Sequence, residues 1–245
     1  MKKLILFLAV GSFAITTFSS CKKKGCMDSS ATNYNSKAKK DDGSCLYKPF
    51  VTIIGANDTT INVGTTYSDP GATATNKDGS SVTVTSTGQV NAATVGDYEI
   101  TYSATNENGT TTAKRTVHVV VGLDNWVANW DVSSTCGAAF PLNDAPTISI
   151  SGADALTIDG MFSISIPLLN INIASGGTAN ATINGSSITI PSQSYTVAGG
   201  IGTITYEGTG TMNNKGDEFV IIYNYTNTLP AIGGSGQCTA TYTKQ

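Results

Sequence analysis

The sequence predicts an all-β protein, and three observations carry that reading. Glycine accounts for 26 of 245 residues while only 13% of the chain is charged, and much of the rest is Thr, Ser, Ile and Val, residues that fit a pleated surface better than a helix. Short runs alternate apolar and polar positions, the period of a strand with one buried face. Between the runs stand Gly, Asn, Asp and Pro turn signals, of which Asn184-Gly185 is the strongest two-residue hairpin signal. A chain of this length accommodates two ordinary domains more readily than one. The expected divisions are a leader at 1–20, a tether at 21–48, a first β domain at 49–121 and a second at 122–245.

The leader has Lys2 and Lys3 as a charged start, Leu4 to Phe18 as an apolar run and small residues before Cys21, the layout of a secretory signal peptide. Its apolar run falls short of the ~20 residues a spanning helix needs. Phe18-Ser19-Ser20-Cys21 resembles the lipobox of bacterial lipoproteins. That resemblance implies cleavage before Cys21 and attachment of fatty acyl chains such as palmitate. Each buried methylene contributes roughly 0.8 kcal/mol, so several chains hold a protein in a membrane where one does not. The expected address is the outer membrane, lipid-anchored, facing the periplasm or the cell exterior. A soluble secreted protein with a free Cys21 is the alternative.

With Lys2 and Lys3 removed, 12 basic residues stand against 17 acidic ones, a formal balance of −5. No basic stripe is present to neutralise phosphates, so nucleic acid is not an expected partner. Setting Cys21 aside leaves four cysteines, whose positions suggest a local bridge, Cys26 to Cys45, and a long-range one, Cys136 to Cys238; two other pairings are formally open. A metal site is disfavoured because there is no C-x-x-C and the single histidine, His118, lies far from every Cys.

In the tether, Lys22-Lys23-Lys24 follows Cys21, with Lys37, Lys39 and Lys40 further on. Beside a membrane these meet anionic headgroups at ~1 kcal/mol each; otherwise they form a solvated linker. Gly25-Cys26-Met27-Asp28, Ala31-Thr32-Asn33-Tyr34 and Asp41-Asp42-Gly43-Ser44-Cys45 resemble a short cysteine-stapled module of bacterial surface and secreted proteins. A segment this small cannot bury a core, so a bridge of roughly 3 kcal/mol on the entropic model is its expected staple. Asp28, Asn33, Asn35, Asp41 and Asp42 are oxygen ligands suited to calcium. The alternating spacing of a calcium loop is missing, however, and Asp41-Asp42-Gly43 also reads as an ordinary turn.

In the first β domain, strands are expected at Phe50 to Ile54, Thr59 to Val63, Ala72 to Thr75, Ser81 to Thr85, Asp97 to Ala104 and Thr111 to Val121. Tyr98, Ile100, Tyr102 and Ala104 share one face of a strand, as do Val117, Val119 and Val121 of another. Gly96-Asp97-Tyr98 ahead of Ile100 is similar to the tyrosine corner of immunoglobulin-like sandwiches, with Ile100 where antibodies carry Cys. Tyr67-Ser68-Asp69-Pro70-Gly71-Ala72-Thr73-Ala74, Gly88-Gln89-Val90-Asn91 and Gly96 to Ala104 resemble the bacterial immunoglobulin-like family first noted in pesticidal crystal proteins. The resemblance implies a sandwich serving as a spacer or recognition module without catalysis. Asn106 stands where that family usually has Asp, which weakens any calcium role there. His118, on the face opposite the valines, has no recognisable Ser, Cys or carboxylate partner and reads as a surface residue.

After the joint Gly122-Leu123-Asp124-Asn125, strands are expected at Trp126 to Val132, Thr147 to Ser151, Leu156 to Ile166, Asn170 to Ile173, Ala179 to Ile183, Ser187 to Ile190, Gly202 to Thr211, Glu218 to Tyr225 and Cys238 to Thr243. Short links favour an antiparallel meander. A Cys136–Cys238 bridge would bring the first and last strands together, as in a small barrel or curled sheet. Trp126-x-x-x-Trp130 resembles the opening of lipocalin-like domains of bacterial lipoproteins. Phe162, Leu168, Leu169, Phe219, Tyr223 and Tyr225 either fill the core or line a cavity. Asp217 and Glu218 are neighbours on a strand and point to opposite faces, so they cannot act as an acid and base pair. No G-x-S-x-G, H-E-x-x-H or phosphate-loop motif occurs. The expected function is therefore non-catalytic and cofactor-free: a membrane-anchored binding, adhesion or scaffolding module with a glycan or protein ligand. The alternative is a lipocalin-like carrier of a small apolar ligand.

Overall fold

The computed structural model describes residues 22–245, so the expected signal peptide and Cys21 lie outside the described residues. The chain is all-β with a short stapled tether at its start. Strands β1 (Phe50–Ile53), β2 (Asp58–Asn62), β3 (Ala72–Thr75), β4 (Val84–Thr87), β5 (Gly96–Asn106) and β6 (Gly109–Val120) form a sandwich. One layer is the sheet β2-β6-β5-β4 and the other is the pair β1-β3. The inward face of the larger layer is Ile100, Tyr102, Ala104, Val117 and Val119, all buried, in keeping with the alternation read from sequence. The segment Ser81 to Thr87 serves both layers. Val82 N–H donates to the Ala74 carbonyl at 2.9 Å and Ser81 bridges Thr75, after which β4 crosses to pair with β5. That switch displaces the regular strand from the expected Ser81 to Thr85.

The C-terminal sheet comprises β7 (Trp130–Ser134), β8 (Thr147–Gly152), β9 (Ala155–Ile166), β10 (Ile171–Asn184), β11 (Ser187–Thr196), β12 (Thr203–Met212), β13 (Glu218–Asn227) and β14 (Gly234–Lys244). Its order is β7-β14-β13-β12-β11-β10-β9-β8, antiparallel throughout, curled into a half-barrel. The first strand pairs directly with the last: Ala240 to Lys244 against Ser134 to Trp130. The seam thus falls between the first two strands, where a single bridge, Asn129 to Thr147, joins the edges.

Three expectations for this sheet are corrected. Trp126 opens no strand: Leu123–Asn125 form a 3₁₀ turn, and β7 begins at Trp130. The expected strands Asn170 to Ile173 and Ala179 to Ile183 are one strand, β10, whose register against β9 slips around Gly176. Ser175-Gly176-Gly177 reads as a turn but is a bulge. Gly177 takes φ +80°, and a Cβ there would stand 2.8 Å from the Phe162 ring, so glycine meets both demands. The hairpin at Asn184 turns through Gly185 and Ser186, with Asn184 paired to Ser187 and Gly185 at φ 57°, one residue later than the sequence signal.

The joint is packed. Asn125 is buried; its Nδ2 donates to the Val63 carbonyl and its Oδ1 accepts the Gly122 N–H, each at 2.9 Å. Val95 N–H donates to the Asn214 carbonyl across the same contact at 2.8 Å. Val63, Val119 and Val121 of the sandwich belong to one continuous apolar core with Trp126, Trp130 and Phe219. Burying that shared surface excludes water from the joint, so the two β units are held against each other by hydrophobic packing as well as by hydrogen bonds.

Candidate functional site

The interior of the half-barrel is filled by aromatic rings. Phe140 lies against Phe162, Tyr206, Tyr223 and Tyr225, with centroids 4.9–5.9 Å apart. Phe219 stacks on Tyr242 at 4.4 Å and meets Trp130 edge-on at 4.7 Å. The Tyr223 and Tyr242 hydroxyls satisfy each other at 2.8 Å. Desolvation pushes the Tyr206 phenol up to about 12, so it stays neutral and buried. Of the residues weighed as cavity lining, Phe162, Phe219 and Tyr223 are core. Leu168 and Leu169 are not: they sit in the 3₁₀ turn between β9 and β10, Leu168 at 90% exposure.

The outer face of β11–β14 offers a surface of different character. Register places Glu207 opposite Asn224 and Asn224 opposite Gln237. Asn224 Nδ2 donates to Glu207 Oε1 at 3.4 Å, and Gln237 Nε2 donates to Asn224 Oδ1 at 3.1 Å. Glu207 and Asn224 line two adjoining clefts, and Gln237 the first of them. One, of about 420 Å³, is bordered by Thr189, Pro191, Thr209 and Ile222; the other, of about 280 Å³, by Ser192, Thr205, Thr226 and Gly236. Neither is lined by Lys or Arg. Carboxylate, amide and hydroxyl groups beside Ile222 and Pro191 supply hydrogen-bond acceptors and donors next to apolar contact area, a combination that suits binding.

Both disulfides pair as the positions suggest: Cys26 with Cys45 and Cys136 with Cys238, each at a Cα separation of 4.8 Å. The second ties the loop after β7 to β14. In the tether, the oxygen groups weighed for calcium are engaged in turns. Asp28 Oδ1 accepts from the Ser30 N–H and hydroxyl, and its Oδ2 from the Tyr47 hydroxyl at 2.7 Å. These bonds, the Ser30 N–H foremost, hold its carboxyl down at about 2. Asp41, Asp42 and Asn35 accept from backbone N–H groups two residues on, and Asn33 clasps Ser44 and Leu46. Among the described residues no three His, Cys, Asp or Glu side chains converge as a metal site would require.

A buried charge explains the Tyr67 to Gly71 motif. Arg115 on β6 is 1% exposed, and its guanidinium donates to the Asp69 carboxylate and the Ile54 carbonyl. Tyr102 donates its hydroxyl to the same Asp69 oxygen and lies beneath the guanidinium at 5.7 Å. Burial, with the Asp69 carboxylate next in effect, pushes the Tyr102 phenol up to about 12. Gly71, at φ +81°, turns the chain after Asp69 back into β3. At the other end of β5, the Tyr98 hydroxyl donates to the Thr94 carbonyl at 2.8 Å, closing a tyrosine corner. Residues 51–119 match the family of bacterial surface protein Ig-like domains. A crystal structure of a lipoprotein from Bacteroides thetaiotaomicron is similar at 16% identity, over 80% of this chain and 100% of its own, with a TM-score of 0.30. No curated protein matches the chain.

A surface Ig-like domain fits a place in the bacterial cell envelope and a binding or scaffolding role. Among the described residues, no helix is long and apolar enough to cross a membrane. Within this domain, His118 departs from the sequence reading. Strand pairing sets it opposite Asp97 on β5 and Thr60 on β2, so its Nδ1 lies 2.6 Å from Asp97 Oδ1 and its Nε2 3.3 Å from Asp58 Oδ1. The hydrogen bond to Asp97 raises the imidazole above its ordinary value. Two carboxylates therefore face a residue expected to stand alone; both come from other strands, out of sight of local sequence. Asn106, at the position noted for calcium, donates to the Tyr47 carbonyl and Asn76 Oδ1, each at 2.9 Å, and so fastens the tether to the Ig-like domain.

Proposed function

We propose that the chain is a lipid-anchored outer-membrane protein, acylated at Cys21, whose C-terminal β domain binds a glycan or protein ligand without catalysis. The observation that carries the reading is the Glu207-Asn224-Gln237 ladder on the outer face of β11–β14, whose Glu207 and Asn224 line two adjoining clefts. The packed joint supports it, because a rigid Ig-like domain between tether and ladder holds that face at a fixed distance from the membrane. The aromatic filling of the half-barrel favours a ligand on the outside over one carried within.

The test has two arms. Purified protein is titrated against a panel of envelope and extracellular glycans and against surface proteins of the source cell, alongside Glu207→Ala/Asn224→Ala. Loss of the captured ligand by the double variant, with its melting temperature preserved, is the expected result; undiminished binding overturns the assignment of the face. In cells, palmitate labelling should disappear in Cys21→Ala, and labelling that survives removes the anchor.

A further inference from the structure

Charge is divided unevenly along the molecule. Residues 22–48 carry seven lysines against three aspartates, whereas residues 49–245 carry five basic side chains against fourteen acidic ones. The tether is thus a cationic foot on an anionic body.

The fold concentrates this foot further. Lys22-Lys23-Lys24 and Lys37-Ala38-Lys39-Lys40 are separate runs in sequence, but Lys24 bridges Lys40 in parallel. Lys39 N–H donates to the Lys23 carbonyl at 2.8 Å and Gly25 N–H to the Lys40 carbonyl at 3.2 Å. Ala38 is buried beneath them and the Cys26–Cys45 bridge closes the loop that returns the second run beside the first. All six lysines are exposed, and none forms a salt bridge among the described residues. The nearby Asp42 carboxylate is occupied by the Ser44 N–H and hydroxyl, and Asp41 by the Gly43 N–H.

We infer that this stitched lysine patch is a docking surface for the anionic phospholipid headgroups of a membrane. Charge complementarity argues for that occupant: the patch adjoins position 21, and lysines at an anionic surface attract it over about a Debye length. The acidic body is repelled by the same surface, so the foot lies down while the Ig-like and C-terminal domains stand away from it. The inference rests on the envelope reading for the presence of a membrane, but it concerns a seat made by folded lysines, not the acyl chains.

The experiment uses the processed chain beginning at position 21 with Cys21→Ser, which has no acyl group, so its failure leaves the anchor untouched. Co-sedimentation is measured with vesicles of phosphatidylcholine alone and with phosphatidylglycerol added. Binding is expected only with phosphatidylglycerol and should fall as salt is raised. Lys39→Gln/Lys40→Gln should weaken it roughly 25-fold, at about fivefold per lysine, while Lys215→Gln/Lys244→Gln on the body leaves it unchanged. Cys26→Ser/Cys45→Ser keeps every lysine yet opens the loop, and should also weaken binding. Equal affinity for the two vesicle compositions overturns the inference. So does a Lys39→Gln/Lys40→Gln protein that binds like its parent, for then the linear run Lys22 to Lys24 acts without the fold.

Discussion

The two β units close their cores by opposite means. The Ig-like domain has a two-stranded layer on one side and buries a charge, Arg115, which Asp69, Tyr102 and the Ile54 carbonyl must satisfy. The C-terminal half-barrel buries Trp, Phe and Tyr rings and adds a disulfide between the loop after its first strand and its last strand. The first solution is directional and fails when one partner is lost; the second is mostly non-directional and tolerates local loss. A small sandwich thereby gains a fixed geometry at the cost of a vulnerable point.

Asp69→Ala should break that contrast most sharply. It leaves Arg115 buried without its counter-charge, at a cost of about 3–5 kcal/mol, and the Ig-like transition in denaturant should move far more than the C-terminal one. Reduction of Cys136–Cys238, or its replacement by serines, should act the other way, lowering the C-terminal transition by about 2–4 kcal/mol while the sandwich shifts little. Gly216→Val tests how far the two transitions are separable. A Cβ at Gly216 would stand 2.8 Å from Val63 Cγ1, at φ +71°. Left-handed backbone alone costs a non-glycine residue roughly 1–2 kcal/mol, so the shared core should loosen and the two melting events move apart in calorimetry. Tyr98→Phe removes the corner hydrogen bond and should cost the Ig-like domain about 1 kcal/mol.

The smallest effect is a pH dependence confined to one unit. His118 is the single histidine of the chain, and its folded value is raised by Asp97. Its contribution is fully present below the ordinary histidine value of ~6.5 and is lost as pH climbs through the raised folded value. The Ig-like domain should therefore melt slightly lower on the alkaline side of that window, and His118→Gln should flatten the profile. A C-terminal transition that follows the same curve would refute the assignment to His118.

Much of this fold was legible. Alternation located Ala72 to Thr75 to the residue and most of β5 through the expected Asp97 to Ala104, and the Gly96-Asp97-Tyr98 resemblance marked the tyrosine corner, because these signals are local. Arg115 was missed, although it shares the parity of Val117, Val119 and Val121 and so faces inward. Its charge argued for the surface, and only Asp69, 46 residues earlier, overrules that. The bulge around Gly176 misled for a similar reason: two glycines that look like a turn are needed where Phe162 and Tyr195 crowd the backbone. The Glu207-Asn224-Gln237 ladder could not be read at all, since it depends on the register of three strands. Each residue alone is an unremarked polar position on an alternating strand.

The parallel pairing of β2 with β6 bears on what happens under load. Once β1 has parted from β3, a chain held at its tether and pulled through its C-terminal domain would draw the start of β2 one way and the end of β6 the other. Parallel strands put those two ends at opposite limits of the ladder from Asp58–Thr116 to Asn62–Val120. The hydrogen bonds then bear the tension side by side and must yield together, where a hairpin pulled at its open end would unzip one rung at a time. Forced unfolding is governed by the height of that barrier and not by equilibrium stability. The sandwich is therefore oriented to resist traction along the line from its tether to the C-terminal sheet.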